Sequence, residues 1–241
     1  MVDKSSVVPI YHQLKTLLQG RILSGQYPVG SQLPSERELC EAYGISRMTV
    51  RQAIIDLVNE GLLQRERGRG TYVAKPKIQQ GLQLAGFTEE MQRRNLLPGT
   101  RLLSLQTVSA AGKPAARLQA AEGEPLHRII RLRLADDEPM ALETSHIPAA
   151  CLPDLTAASL ASGSLYALLC DCGLQPAYAD QAVEAAQART DEAKLLDIRI
   201  KAPVLLIERT TFLRDDRPVE FVQSVYRGDR YTFSFRLTQP H

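Results

Sequence analysis

The sequence predicts an α+β protein in two parts: a small helical front ending in a basic hairpin, and a larger back on a largely antiparallel sheet with helices inserted. Three observations predict this. Residues 1–75 contain three runs of apolar residues at helical spacing, each introduced by a proline or a capping residue. Residues 101–237 hold six strand-like runs, among them "LHRIIRLRLADD" and "RPVEFVQSVYRG". Charge divides the same way. Residues 1–75 carry ten Lys/Arg against seven Asp/Glu, a net of +3, and the remainder nineteen against twenty, a net of −1.

The first helix follows Pro9, which suits a first helical turn, and carries Ile10, Leu14, Leu17, Leu18 and Ile22 on one stripe up to Gly25. A Pro/Gly loop then leads to Ser35-x-x-Glu38, a capping box. The second helix starts there and turns Leu39, Ala42 and Tyr43 inward. Gly44 permits the turn, and Ser46 caps a third helix with Val50, Ala53, Ile54, Leu57 and Val58 on its apolar stripe. Two short helices joined by such a turn form a helix-turn-helix. In that motif the N-terminal residues of the second helix enter the major groove of DNA, which places Ser46, Arg47, Thr49 and Arg51 at the bases or phosphates. Arg37 lies where the preceding helix meets the backbone. Two strands follow, Leu62 to Arg65 and Thr71 to Ala74, around a turn holding Gly68 and Gly70. Arg65, Arg67 and Arg69 crowd its tip. Such a wing favours the electronegative minor groove.

Lys75-Pro76-Lys77 breaks the pattern and opens a linker, and a short helix is expected from about Thr88 to Asn95. The strand runs come next. Asp136-Asp137 and Asp215-Asp216 mark hairpin turns, and helices are expected over Leu165 to Cys172 and Thr190 to Leu196. Polar residues stand on strand faces that should be partly inside. Arg131 and Arg133 are two apart and share a face; Glu143 and Ser145 share one on the next strand; Glu220 lies on another, followed by Tyr226, Arg227, Asp229 and Arg230. On the residues alone two readings stand: a solvated sheet face, or a pocket in which arginines fork onto phosphate or carboxylate while carboxylates accept from hydroxyls or an amine.

Composition narrows the function classes. The chain has 241 residues, 44% hydrophobic and 23% charged, which excludes wholesale disorder. A net charge of +2 is no polybasic nucleic-acid sponge. The start lacks the apolar core of a signal peptide, and no apolar run reaches the ~18–20 residues of a membrane helix, so a cytoplasmic protein is expected. Cys40, Cys151, Cys170 and Cys172 are too few and too irregular for a disulfide framework or zinc ribbon. His12, His127, His146 and His241 show no metal-ligand spacing, and no P-loop, G-x-S-x-G or G-x-G-x-x-G occurs. No metal, cofactor or catalytic residue is expected, and His146 reads as structural.

"LPSERELCEAYGISRMTVRQAIIDLVNEGLLQRERGRGTYV" closely resembles the N-terminal domain of GntR-type bacterial transcription regulators. The P-S-E-R-x-L helix start, the S-R-x-T-V-R recognition helix and the G-x-G-T wing are all present in order. These motifs add Ser35, Gly70 and Thr71 to the DNA-facing residues. "LHRIIRLRLADDEPMALETSHIP" and "SVYRGDRYTF" resemble the effector-binding domain of the HutC-like branch, so that the resemblance covers nearly the whole chain. It implies a chorismate-lyase-like fold that senses a ligand and dimerises. Within that branch the chain is most similar to regulators of amino-sugar use, which respond to glucosamine-6-phosphate or N-acetylglucosamine-6-phosphate.

The resemblance implies a winged helix-turn-helix at 1–75, a coupling linker at 76–88 and an effector-binding and dimerisation domain at 89–241. It implies a homodimer on palindromic double-stranded operator DNA, with no membrane partner. By position, Arg131 and Arg133 would hold a phosphate, joined by Phe87, Thr88, Ser164 and Tyr166, while Glu143, Glu220 and Tyr226 would read the sugar. Tyr178 departs from the pattern, standing where a basic side chain near the sugar is expected. Other effectors stay open, among them another sugar phosphate or a carboxylate such as urocanate, as do a lyase-like enzyme and a constitutive DNA-binding protein.

Overall fold

The computed structural model describes residues 3, 6–66, 68–75, 77–81, 83–162 and 164–235. Arg67, Pro76 and His241, named above, lie outside the described residues. The chain divides into two compact units, residues 1–78 and 79–241.

In the first unit α1 spans Ile10–Leu23, α2 Glu36–Tyr43 and α3 Arg47–Asn59, followed by β1, Leu63–Glu66, and β2, Gly70–Val73. The caps explain where α2 and α3 begin. Ser35 Oγ accepts from the Glu38 N–H at 3.2 Å, and the Ser35 N–H donates to Glu38 Oε2 at 2.8 Å. Ser46 Oγ accepts from the Thr49 N–H at 3.2 Å. Gly44, at φ 61°, adopts the left-handed conformation that ends α2 and turns the chain into α3. Leu14, Leu18, Leu39, Val50, Ile54 and Leu57 meet in one buried core, closed by Leu63 and Val73 of the hairpin. The strands sit within one residue of their expected limits. A third segment backs them: the Leu33 N–H donates to the Thr71 carbonyl at 2.8 Å, and Gln32 Nε2 donates to the Arg69 carbonyl at 2.9 Å.

The second unit is built on six antiparallel strands. They are β4 (Pro98–Ser109), β5 (Pro125–Ala135), β6 (Glu138–Pro148), β7 (Tyr178–Gln187), β8 (Pro203–Phe212) and β9 (Pro218–Arg227), in the order β4-β5-β6-β9-β8-β7. Asp136 and Asp137 both take positive φ, 48° and 61°, and close the two-residue hairpin between β5 and β6. Asp216, at φ 64°, ends the longer turn between β8 and β9. One sheet face packs Ile129 and Ile147 against Leu160, Leu165 and Leu169 of α6 (Ala157–Ser162) and α7 (Leu165–Asp171). On the other face Leu126 and Phe221 meet Leu118 of α5 (Gly112–Leu118), and Val204 meets Ala193 of α8 (Thr190–Leu196).

Several expectations are corrected. The helix expected at Thr88 to Asn95 is α4, Phe87–Arg93, so Phe87 and Thr88, assigned to the linker, form its first turn. The segment between the expected domains also holds a short strand, β3 (Ile78–Gln80), which runs beside β10 (Tyr231–Phe233). α5, α6 and β7 have no counterpart in the sequence reading. The last expected strand is short, Tyr231–Phe233. Among the described residues no helix is long and apolar enough to cross a membrane.

Candidate functional site

Strand register assembles the pocket. Arg131 pairs with Glu143, which pairs with Ser224; Ser145 pairs with Val222, which pairs with Arg209; Glu220 pairs with Thr211. Partners in register point to the same face, so β5, β6, β9 and β8 send arginines, carboxylates and hydroxyls to one side. Two irregularities adjoin this patch, one after Arg133 and one after Thr211. An extra residue on one strand turns the neighbouring side chains. α4 supplies Phe87 and Thr88, and the start of α7 supplies Ser164, Leu165 and Tyr166. These residues, with Gly86, Arg131, Arg133, Glu143, Arg209, Glu220 and Val222, line one cavity.

Charge inside it is unusual for a sheet face. Arg133 is 2% exposed and Glu143 4%. Arg131 Nη2 donates to Glu143 Oε2 at 3.1 Å, and Arg133 Nε lies 3.7 Å from the same oxygen. Arg133 Nη2 donates to Thr88 Oγ1 at 2.9 Å, and its guanidinium stacks 4.6 Å from the centre of the Phe87 ring. Ser145 Oγ donates to Glu220 Oε1 at 3.0 Å, and the Tyr166 hydroxyl meets Thr211 Oγ1 at 3.0 Å. Burial works against the charge of Glu143, but Arg131, Arg133 and Arg209 outweigh it and hold the carboxyl below its ordinary range. Burial lowers Arg133 and raises the Tyr166 hydroxyl.

Three arginines face two carboxylates, an excess of one positive charge. Arg131 Nε, Arg133 Nε, Arg133 Nη1 and Arg209 Nε are buried without a hydrogen-bond partner. Buried donors left unpaired are costly. An anion with several acceptor oxygens is the group that would satisfy them. The enclosed space is about 20 Å³, room for about one water. Small-molecule sites run to roughly 300 Å³ or more, so the cavity must widen to admit a ligand of that kind.

Eight of the nine expected ligand residues line the cavity. Tyr226 does not; its hydroxyl donates to Glu143 Oε1 at 3.4 Å from behind. Arg227, Asp229 and Arg230 are not in the pocket either. Arg227 forks onto Asp229 at 2.7 Å and, with Arg230, pairs with Glu138. Tyr178 is no pocket residue: it is exposed on β7, donates to Asp216 Oδ1 at 2.8 Å and stacks on Phe212. His146 stacks against Phe221 on the opposite face. Arg209 was missed. Its signal was available, since Arg209 and Thr211 alternate in "LLIERTTF" as Arg131 and Arg133 do in their strand. All four cysteines are free, and among the described residues no His/Cys/Asp/Glu group is placed to hold a metal.

In the first unit, exposed polar side chains stand at the start of α3 and on the hairpin. The Arg47 side chain is 82% exposed and meets Glu36 at 3.3 Å, and Arg65 meets the same carboxylate at 3.1 Å. Arg37 lies 3.8 Å from Glu41. Ser35, Ser46 and Thr49 are engaged in the caps, with Ser46 Oγ and Thr49 Oγ1 at 2.8 Å. Gly70 takes φ 128° beside the Gln32 side chain.

The gntR family model of bacterial regulatory proteins matches residues 10–73, and the UTRA domain model matches residues 93–232. The second match alone covers more than half of the chain. The chain belongs to the gntR family of bacterial regulatory proteins. It is 47% identical over 234 residues to the HTH-type transcriptional repressor NagR of Bacillus subtilis, covering 96% of each chain. The crystal structure of PhnF from Mycobacterium smegmatis is similar at a TM-score of 0.68 and 31% identity, over 95% of this chain and 99% of that one. The histidine utilization repressor of Pseudomonas putida is 28% identical, over 96% of this chain and 93% of that one. The gntR/UTRA architecture is that of a transcription regulator with a DNA-reading front and an effector-binding back.

Proposed function

We propose that this regulator represses amino-sugar utilisation genes and is released from its operator by glucosamine-6-phosphate or N-acetylglucosamine-6-phosphate. The observation that carries the proposal is the buried pocket of three arginines and two carboxylates with unsatisfied guanidinium donors. A phosphate would take Arg131, Arg133 and Arg209, with Thr88 and Ser164 as neutral partners. Glu143 and Glu220 would accept from sugar hydroxyls or the amino group, and Tyr226 would steady Glu143. The identity with NagR supports the sugar class.

In this reading Ser35, Arg37, Ser46, Arg47, Thr49, Arg51, Arg67, Arg69, Gly70 and Thr71 form the DNA surface. One such surface covers a half-site, so a homodimer reads a palindrome. In the same reading the protein works in the cytoplasm and is no enzyme, which the naming of its relatives as transcriptional repressors supports. The switch runs through Arg133. A phosphate competes with Thr88 and Glu143 for its guanidinium, and so acts on the first turn of α4. Residues 76–88, which lead into that helix, carry the change to the winged helix. Coupling requires the ligand to bind one arrangement more tightly than the other.

A thermal-shift scan tests this, using both amino-sugar phosphates, glucose-6-phosphate, unphosphorylated N-acetylglucosamine and urocanate. At ~100 times its dissociation constant the effector stabilises by about 2.7 kcal/mol. A shift with the amino-sugar phosphates alone is expected. A shift with urocanate alone, or with glucose-6-phosphate equally, sinks the amino-sugar assignment. Turnover of any ligand would restore the lyase-like alternative.

A further inference from the structure

We propose that Met48 is a base-reading residue, packing its thioether against the C5-methyl group of a thymine in each operator half-site. The inference rests on the DNA-reading function proposed above and adds a residue and a base to it.

Met48 is 75% exposed, although it lies in the second position of a helix whose other apolar residues are buried or partly buried. Single exposed apolar residues are ordinary on protein surfaces; position sets this one apart. It stands in the first turn of α3, the turn that a helix-turn-helix presents to the major groove. Its exposed neighbours on that side are Arg47, Arg51 and Gln52, whereas Val50, Ala53, Ile54 and Leu57 of α3 are buried and Ile55 and Val58 partly so.

The polar side chains around it are largely committed within the chain. The Ser46 and Thr49 hydroxyls are tied to each other and to the helix cap. Arg47 is held by Glu36, and Gln52 donates to Asp56 at 2.8 Å. Met48 and Arg51 are the side chains of this turn that no partner among the described residues engages. In the major groove the T methyl is the apolar feature of the code, and apolar side chains read it. An unbranched, polarisable thioether adapts its shape to such a contact. Arg51, one turn further on, suits a guanine or a phosphate beside it.

The test uses the full chain without effector. A pool of random duplexes is selected on the protein, and each thymine of the enriched site is replaced in turn by deoxyuridine, which deletes only the methyl. At one thymine per half-site the wild-type protein should bind the deoxyuridine duplex about fourfold more weakly, the worth of one buried carbon. Met48→Ala should bind the thymine duplex about as weakly and be indifferent to the exchange. Met48→Leu should keep the sensitivity. The residue is exposed, and matching thermal melts will show that the variants fold. Wild-type indifference at every thymine overturns the proposal, as does Met48→Ala that remains sensitive. A pool that yields no enriched sequence overturns the DNA-reading function itself, a different outcome from enrichment without methyl sensitivity.

Discussion

The two units present arginine in opposite ways. On α3 the Arg47 side chain is 82% exposed and held by one carboxylate shared with Arg65. In the sheet, Arg133 is 2% exposed and touches a carboxylate, a hydroxyl and an aromatic ring. An exposed guanidinium is hydrated at little cost and acts through a long-range, salt-screened field, which suits a polyanion. A buried one has lost its water, so each unmet donor penalises every occupant that cannot supply an acceptor. Under the proposed function the outer set would supply affinity for DNA in general, and the inner set discrimination among small ligands.

The largest effect that would break this contrast is at the buried pair. Arg131→Ala leaves Glu143 with weakened compensation, and losing one partner of a buried pair costs about 3–5 kcal/mol. Effector binding by calorimetry should vanish, while the first unit keeps its DNA affinity in a gel-shift titration. Lost DNA binding with effector binding intact would reverse the division of labour. The pair also has a pH signature. Glu143 has its folded pKa depressed, so its contribution is full above the ordinary carboxylate value of about 4.5 and is lost as pH falls through the lowered folded value. Melts from pH 6 to 3 should show the wild type losing stability more steeply than Glu143→Gln.

On the outer surface the expected loss is smaller and salt-dependent. Arg51→Ala should weaken operator binding by about 1–3 kcal/mol if it reads a base, or lower the salt slope by about 1 if it clamps a phosphate. Salt titration of the variant separates the two, and no change in either would remove Arg51 from the interface. Smaller again, Ser35→Ala removes the hydroxyl half of the capping box and should cost about 1 kcal/mol in a denaturant melt. The smallest effect sharpens the pocket's boundary. Tyr178→Phe loses one exposed hydrogen bond to Asp216, so stability should stay within about 0.5 kcal/mol. Effector affinity should not move; a changed affinity would bring Tyr178 back to the ligand.

The front was legible because its signals are local. Ser35 and Glu38, or Ser46 and Thr49, lie three residues apart, and such caps fix a helix start without help from elsewhere. In the back, Arg131, Arg133 and Glu143 were legible because alternation on neighbouring strands exposes polar residues due to turn inward. Arg209 shares such an alternation with Thr211, but that it faces Arg131 and Glu143 depends on the β8–β9 and β9–β6 pairings, which are not local. β7 escaped for a different reason. "YADQAVEAAQ" is exposed along nearly all its length, so neither of its faces carries the apolar rhythm that marks a strand. In α5, a proline within seven residues hid the helix, although Pro114 sits in the first turn, where its missing N–H does no harm.

The narrowness of the cavity has a consequence for the concentration at which this regulator responds. With about 20 Å³ of free space among Phe87, Arg133 and Glu143, a ligand can bind only a widened form of the cavity. The observed dissociation constant is then the intrinsic one divided by the open fraction; an open fraction of about 1% weakens it about 100-fold. Under the proposed function the Phe87–Arg133 stack, 4.6 Å apart, would then bear on sensitivity as well as the contacts to the ligand. A lineage could retune its response threshold by changing one aromatic ring, with every charged residue of the pocket left as it is.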